Sequence, residues 1–173
     1  MNKEKLQHIL IGLAFVIIGI ILDQVTKYLA VSNLKGKPPV KVIKNFFYLN
    51  YTENNGAAWG IFEGKLWLFY IITIFALGLF VYMLRDFDLK NNLVYSISLA
   101  IIISGTFGNF IDRVFRQYVV DFIDVDIFSY RSFPIFNIAD IFLTVGVCLL
   151  LIDMLFGKSK HLLKWGKYGK YIY

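Results

Sequence analysis

Four long apolar runs constrain this chain more than any other feature. Residues 66–84 contain no charged side chain, and residues 9–29, 93–113 and 134–156 are apolar apart from a few polar positions. A helix needs roughly twenty such residues to cross the hydrocarbon core of a bilayer, where every backbone polar group must be satisfied internally. The sequence therefore predicts an all-α membrane protein, a four-transmembrane-helix bundle forming a single domain over residues 1–173.

The connection between the first two runs has a different character. Residues 40–51 are rich in Val, Ile, Phe and Tyr with partial alternation, and turn signals surround them at KGKPP (35–39) and NNG (54–56). This pattern predicts a strand or hairpin, so we expect residues 32–65 to form a small β-rich extracytoplasmic segment. Pro134 is expected at the first position of the fourth helix, and residues 157–173 form a basic tail suited to a lipid surface.

Composition excludes several kinds of site. The chain is 58% hydrophobic and 17% charged, away from the usual balance of soluble domains. Its single cysteine, Cys148, permits no disulfide framework and is expected to be buried in the core. The two histidines, His8 and His161, are at opposite ends, so neither a metal site nor a Ser-His triad is indicated. The net charge of +6 is explained more simply by a basic rim on anionic lipid than by nucleic-acid binding. The sequence thus predicts no metal, no cofactor and no nucleic-acid partner.

Polar residues inside the apolar runs are the candidates for function, because ionisable groups in a membrane are costly and usually functional. They recur at helical spacing, so that each group shares one helix face: Asp23 and Lys27; Asn109, Asp112, Arg113 and Arg116; Asn137, Asp140 and Thr144. All lie near the same membrane face. We therefore expect one site at the mouth of the bundle, roofed by residues 32–65.

Individually these groups have simpler explanations. Asp23 and Lys27 can neutralise each other near the interface, Arg116 can cap a helix end, and Asp124 and Asp126 are expected to be solvated loop acids.

Asp140, placed about two turns into its helix, must be protonated or paired. Asp121, in the apolar run VVDF (119–122), can fold back to the same face. Two converging aspartates that share a proton are typical of aspartic proteases. A proton-coupled small membrane transporter and a non-catalytic adaptor are the alternative hypotheses.

Five motifs, in order, closely resemble the lipoprotein signal peptidase (signal peptidase II) family. They are DQVTK (23–27), TENNGAAWG (52–60), GTFGNFIDR (105–113), VVDF (119–122) and FNIAD (136–140). Trp59 departs from the phenylalanine found in many members.

The resemblance implies a bacterial membrane-embedded aspartic endopeptidase that removes signal peptides from prolipoproteins, cutting before a cysteine that carries diacylglycerol. It implies Asp121 and Asp140 as the catalytic pair. It also implies a set of residues that line or support the site, namely Asp23, Lys27, Asn54, Gly105, Asn109, Arg113, Asn137 and Ala139.

Orientation and partners follow from the same resemblance. The termini and residues 85–90 hold nine Lys and Arg, and so does the opposite side. Leaving out the helix-embedded Lys27 and Arg113 reduces the opposite side to seven, which weakly favours cytoplasmic termini. The family implies the same orientation in the bacterial cytoplasmic membrane, with the active site at the outer leaflet. The expected partners are the lipidated prolipoprotein substrate and membrane lipid, and a site built within one chain suggests a monomer.

Overall fold

The computed structural model describes residues 3–56, 61–126 and 133–157. Four helices in these residues are long and apolar enough to cross a membrane. The elements in chain order are α1 (Lys3–Leu34), β1 (Val40–Ile43), β2 (Phe47–Asn54), α2 (Leu66–Met83), α3 (Leu93–Arg116), β3 (Val119–Val125) and α4 (Ile138–Phe156), with one 3₁₀ turn at Leu84–Asp86. The predicted four-helix membrane architecture is confirmed. Trp59 and the tail beyond Gly157 lie outside the described residues.

Helix α1 is longer than the apolar run that predicted it. At about 1.5 Å per residue it spans roughly 48 Å, against a hydrocarbon core of about 30 Å. Its buried residues follow one stripe at spacings of three and four, listed from the N-terminus as Gly12, Val16, Gly19, Asp23, Lys27, Ala30 and Leu34. The end of the stripe packs against the sheet, where Ala30 and Leu34 join a core with Val120 and Phe122. The helix thus links the membrane bundle to the extramembrane sheet.

The sheet has three antiparallel strands in the order β1-β2-β3. The hairpin predicted within residues 32–65 is present as β1 and β2. Strand β3 was not predicted, and it pairs with β2 so that Thr52 lies opposite Asp121 and Asn54 opposite Val119. Its start is buried on both faces, so it lacks the alternation by which a half-exposed strand is recognised.

Helix α4 begins at Ile138, so placing Pro134 at its first position was wrong. The segment before the helix is extended, and Phe136 forms an isolated bridge with Ile123 of β3. The N–H of Phe136 donates to the carbonyl of Ile123 (3.0 Å), which uses a group that a helix start would leave free. Asn137 is the N-cap instead, in a capping box with Asp140.

Helices α1, α3 and α4 approach closely through small residues. A Cβ on Gly19 would meet Ser104 of α3, and one on Gly146 would meet Ile102 at 2.6 Å. Helix α2 packs against α3 at its two ends, where the hydroxyl of Tyr70 donates to the carbonyl of Arg113 and that of Tyr95 to the carbonyl of Met83. Between these contacts a cavity separates α2 from the rest of the bundle.

Candidate active site

Asp121 lies on β3, the strand at one edge of the sheet, and is only 2% exposed. Its Oδ1 accepts a hydrogen bond from the side-chain amide of Asn137 (2.6 Å), and its Oδ2 accepts one from that of Asn54 (2.8 Å). The strand register places Asn54 within reach, since its β2 position pairs two residues from Asp121. Both carboxyl oxygens are therefore fixed by asparagines from other elements.

Asp140 lies in the first turn of α4, not two turns into it as predicted, because the helix starts later. Its Oδ2 accepts the backbone N–H of Asn137 (3.0 Å), which completes the capping box. Its Oδ1 accepts the side-chain amide of Asn109 (2.8 Å). A carboxylate at this position also lies at the positive end of the helix dipole. Asn137 contacts both aspartates, so the two acids converge on one residue.

The three asparagines have only one favourable orientation each. The side-chain oxygen of Asn54 accepts from the N–H of Gly56 (2.9 Å), that of Asn109 from the ammonium of Lys27 (2.9 Å), and that of Asn137 from the N–H of Asp140 (3.0 Å). These donors cannot accept hydrogen bonds, so a flipped amide would place N–H against N–H. The amide nitrogens must therefore face Asp121 and Asp140, and all four carboxyl oxygens receive an N–H donor.

The electrostatic environment of Asp121 favours its protonated form. Burial raises the pKa of this carboxyl to about 7, and repulsion from Asp140 acts in the same direction. The hydrogen bonds from Asn54 and Asn137 and the charge of Lys27 oppose the shift. Two neighbouring carboxyls with one raised pKa can hold a shared proton near neutral pH.

This shift predicts how stability depends on pH. The folded state binds the Asp121 proton more tightly than the unfolded chain does, because the pKa of this carboxyl in the unfolded chain is about 3.8. The free energy of unfolding should therefore fall as pH rises from about 4 to about 7 and level off above that window. Tm measured against pH in detergent checks this: the fall should be smaller in Asp121→Asn. An identical pH dependence in wild type and variant would contradict the raised pKa.

Both aspartates face the cavity beside α2, which has a volume of about 770 Å³. That size is in the range of ligand sites. Its membrane-embedded part is lined by apolar and small polar residues, including Phe69, Ile72, Thr73, Ala76, Phe80, Ile102, Thr106, Leu143, Thr144 and Val145. Ile72 of α2 and Val145 of α4 are also about half exposed on the lipid-facing surface. A polar end with two acids thus continues into an apolar space at membrane depth.

Arg113 stands at the polar end of this cavity. Its guanidinium donates to the carbonyl of Gly56 (3.1 Å) and lies 4.1 Å from the ring centre of Phe69. It therefore connects α3 with the end of β2 and with α2.

Gly105 and Ala139 mark the closest approach of α3 to α4. A Cβ on Gly105 would overlap the carbonyl oxygen of Ala139. Ala139 is fully buried, and its N–H donates to Asp23 of α1 (2.9 Å). Both residues support the site from behind rather than line its cavity.

The structure brings together every predicted site residue and adds one that was missed, Asp112. This carboxylate is fully buried and contacts Lys27, Arg116 and the backbone of β3. Its membership in the polar stripe of α3 was the available signal, but a carboxylate near a helix end was more simply explained as an interface group. Arg116 is 29% exposed and pairs with Asp112.

Other predicted residues lie apart from the site. Asp124 accepts a hydrogen bond from Asn50 on the sheet (3.1 Å). Cys148, expected to be buried, is exposed on α4, since a membrane helix places much of its apolar surface against lipid. Among residues 3–56, 61–126 and 133–157, no three His, Cys, Asp or Glu side chains are grouped in a way that could hold a metal ion.

Comparisons with known proteins agree with this geometry. A family model described as "Signal peptidase (SPase) II" (Peptidase_A8) matches residues 15–156. Two solved structures, both described as bacterial membrane enzymes determined by the in meso method, are similar along most of their length. The one at 2.3 Å resolution is 41% identical, covers 94% of this chain and 93% of that chain, and superposes with a TM-score of 0.75. The one at 1.9 Å is 44% identical, covers 84% and 92%, and has a TM-score of 0.74. The chain, with its two aspartates at the mouth of a four-helix membrane bundle, belongs to the signal peptidase II family of aspartic peptidases.

Proposed function

We propose that this protein removes signal peptides from bacterial prolipoproteins with Asp121 and Asp140 as its catalytic pair. The observation that carries the proposal is their convergence. Both carboxyls are oriented by Asn137, and both face a cavity that continues into the membrane-embedded part of the bundle. A peptide bond at the end of a membrane helix could be presented to the acids at that depth.

The proposed reaction is direct hydrolysis by a shared-proton pair. One carboxylate takes a proton from a water molecule as its oxygen attacks the scissile carbonyl carbon. The other carboxyl, which holds the shared proton, donates it to the carbonyl oxygen. When the tetrahedral intermediate collapses, the peptide C–N bond breaks, the first carboxyl gives the proton it took from water to the leaving nitrogen, and the second carboxylate takes back a proton from a hydroxyl of the intermediate. The asparagine hydrogen bonds hold the two aspartates in the same relative position throughout.

The proposed substrate is a prolipoprotein whose cysteine already carries diacylglycerol, cut just before that cysteine. The signal peptide is itself a membrane helix, and the cavity borders the lipid-facing residues Ile72 and Val145 between α2 and α4. An apolar space of this size suits a lipid-modified segment better than a polar peptide. The roof around Asn54 and Gly56 would hold the extended peptide near the two acids.

Orientation and assembly are part of the proposal. We place the sheet and the acids at the outer leaflet and both termini in the cytoplasm, an orientation supported by the count of Lys and Arg, nine against seven, once the helix-embedded Lys27 and Arg113 are left out. Asn54, Asn109 and Asn137 of this chain supply a donor to each carboxyl oxygen of the two aspartates, so the proposed site needs no second copy and a monomer suffices. A basic rim spread over both ends suits lipid better than nucleic acid.

The test is a cleavage assay with purified protein in lipid nanodiscs. A prolipoprotein with a diacylglyceryl cysteine should be cut directly before that cysteine, as mass spectrometry of both products shows. The unlipidated precursor serves as the matched control and should be cut poorly. No cleavage together with proton-coupled flux in sealed vesicles would instead favour the transporter hypothesis.

A further inference from the structure

We propose that Lys27 is a positioning residue that sets the separation between Asp121 and Asp140. It does so by holding together two buried carboxylates, Asp23 and Asp112, each of which binds the backbone just before one member of the pair. This inference rests on the proposed function, because it explains how the two acids are kept at working distance.

The first of these contacts is between α1 and α4. Oδ1 of Asp23 accepts the backbone N–H of Ala139 (2.9 Å), and Ala139 immediately precedes Asp140. Asp23 is fully buried, so this bond is shielded from competition by water. This hydrogen bond therefore fixes the backbone before Asp140 relative to helix α1.

The second contact is between α3 and β3. Oδ2 of Asp112 accepts the backbone N–H of Val120 (3.0 Å), and Val120 immediately precedes Asp121. Asp112 and Val120 are both fully buried. This hydrogen bond therefore fixes the backbone before Asp121 relative to helix α3. As with Asp140, a buried carboxylate accepts the N–H of the residue just before the aspartate.

Lys27 joins the two contacts. Its ammonium lies 2.9 Å from Oδ2 of Asp23 and 3.2 Å from Oδ2 of Asp112, and it donates to Oδ1 of Asn109 at 2.9 Å. An ammonium has three N–H donors, so these partners use all of them. The third partner returns to the site, because Asn109 donates to Asp140. One buried cation thus connects to both acids by separate routes.

The cluster of Lys27, Asp23 and Asp112 is not explained by stability alone. Buried ion pairs often contribute no more than well-packed apolar residues would, because each charge loses its hydration. What this cluster supplies is geometry: fixed atoms at fixed distances behind two acids carried by different elements. A displacement of about 1 Å in a catalytic group can cost roughly 10²-fold in rate.

The decisive variant is Lys27→Met, which keeps an unbranched side chain of similar length and removes the charge and all three donors. In the nanodisc assay kcat per folded molecule should fall about 10²-fold while KM changes little. The pH profile is read in Lys27→Arg, which keeps the charge that lowers the pKa of Asp121. In that variant the separation between the two apparent pKa values in the kcat–pH profile should decrease, since carboxyls that move apart repel each other less. A purely structural role would lower Tm and yield but leave kcat per folded molecule unchanged, and it would leave the pH profile of Lys27→Arg as in wild type.

Val16→Ala is the matched control on the same buried face of α1. It creates a small cavity away from the aspartates, so it should lower Tm and retain the wild-type kcat and pH profile. If Lys27→Met does not fold, Lys27→Arg supplies the test. It keeps the charge, but its planar guanidinium does not reproduce the ammonium's three directions, and we expect about 10-fold lower kcat with an altered pH profile.

The failure of this inference differs from the failure of the proposed function. Wild-type kcat in every Lys27 variant that folds and a wild-type pH profile in Lys27→Arg, with Asp121→Asn and Asp140→Asn inactive, would overturn the inference and leave the proposed function standing. Activity in the two aspartate variants would overturn the proposed function, and the inference with it.

Discussion

Asp140→Asn is expected to lower cleavage of a lipidated prolipoprotein by about 10³- to 10⁴-fold, and Asp121→Asn is expected to do the same. An amide of the same shape cannot take a proton from water or carry the shared proton, so either change removes half of the pair. Each variant turns one acceptor oxygen into an NH2 group that faces an N–H donor, so Tm should fall, but the remaining contacts of the helices and the sheet should keep the protein folded. Product formation by mass spectrometry, on samples matched for folded protein by size exclusion and Tm, measures the effect.

Asp124→Asn is the matched control for these variants. It makes the same substitution on the same strand, at a residue that bonds Asn50 and does not line the cavity. We expect activity within about twofold of wild type, as is usual for a change away from the reacting groups. An Asp121 or Asp140 variant as active as the Asp124 variant would show that the wrong carboxyls have been assigned.

Gly105→Ala should have the second largest effect. The added Cβ would overlap the carbonyl oxygen of Ala139 and lie 2.9 Å from Cγ of Leu143, so α4 must move away from α3. Overpacking of this kind costs about 1–3 kcal/mol. The movement also carries Asp140 away from Asn109, and a shift of about 1 Å should lower kcat roughly 10²-fold. Tm and kcat measured on the same preparation check both effects.

Gly78→Ala provides the comparison, because it adds the same methyl group to a membrane helix. A Cβ at Gly78 has no neighbouring atom within 4 Å. Alanine is the better helix former by up to about 1 kcal/mol, so this variant should be as stable as wild type or slightly more so. Equal losses in the two variants would mean that close α3–α4 packing does not determine the geometry of the site.

Length and apolarity alone were sufficient to predict the helices, because a bilayer imposes a minimum span and a single secondary structure. Turn residues and alternation predicted the β1–β2 hairpin. The start of α4 could not be predicted, since Pro134 is acceptable both at a helix start and in extended backbone. Only the bridge between Phe136 and Ile123 decides between them, and it depends on a strand that follows α3.

In the candidate site, too, the sequence predicted which residues share a helix face but not which residues they contact across elements. Helical spacing grouped Asp23 with Lys27 and Asn109 with Asp112, but it could not show which atoms they contact. Asp112 was missed as a site residue because its partners, Lys27 and the N–H of Val120, belong to other elements. Cys148 was placed in the core because sequence alone does not distinguish a helix face against lipid from one against protein.

The spacing of Asp23 and Lys27 has a consequence for how the protein enters the membrane. The distant partners of this pair, Asp112 and the N–H of Ala139, belong to segments that are synthesised much later than α1. A lone aspartate or lysine in a nascent membrane helix costs about 3 kcal/mol on insertion. At positions four apart, with the acid nearer the N-terminus, the two side chains reach each other within α1 and neutralise each other's charge. Helix α1 can thus enter the bilayer with Asp23 and Lys27 paired to each other. When α3 and α4 insert, the two side chains also bind Asp112 and the N–H of Ala139 and become part of the active-site scaffold.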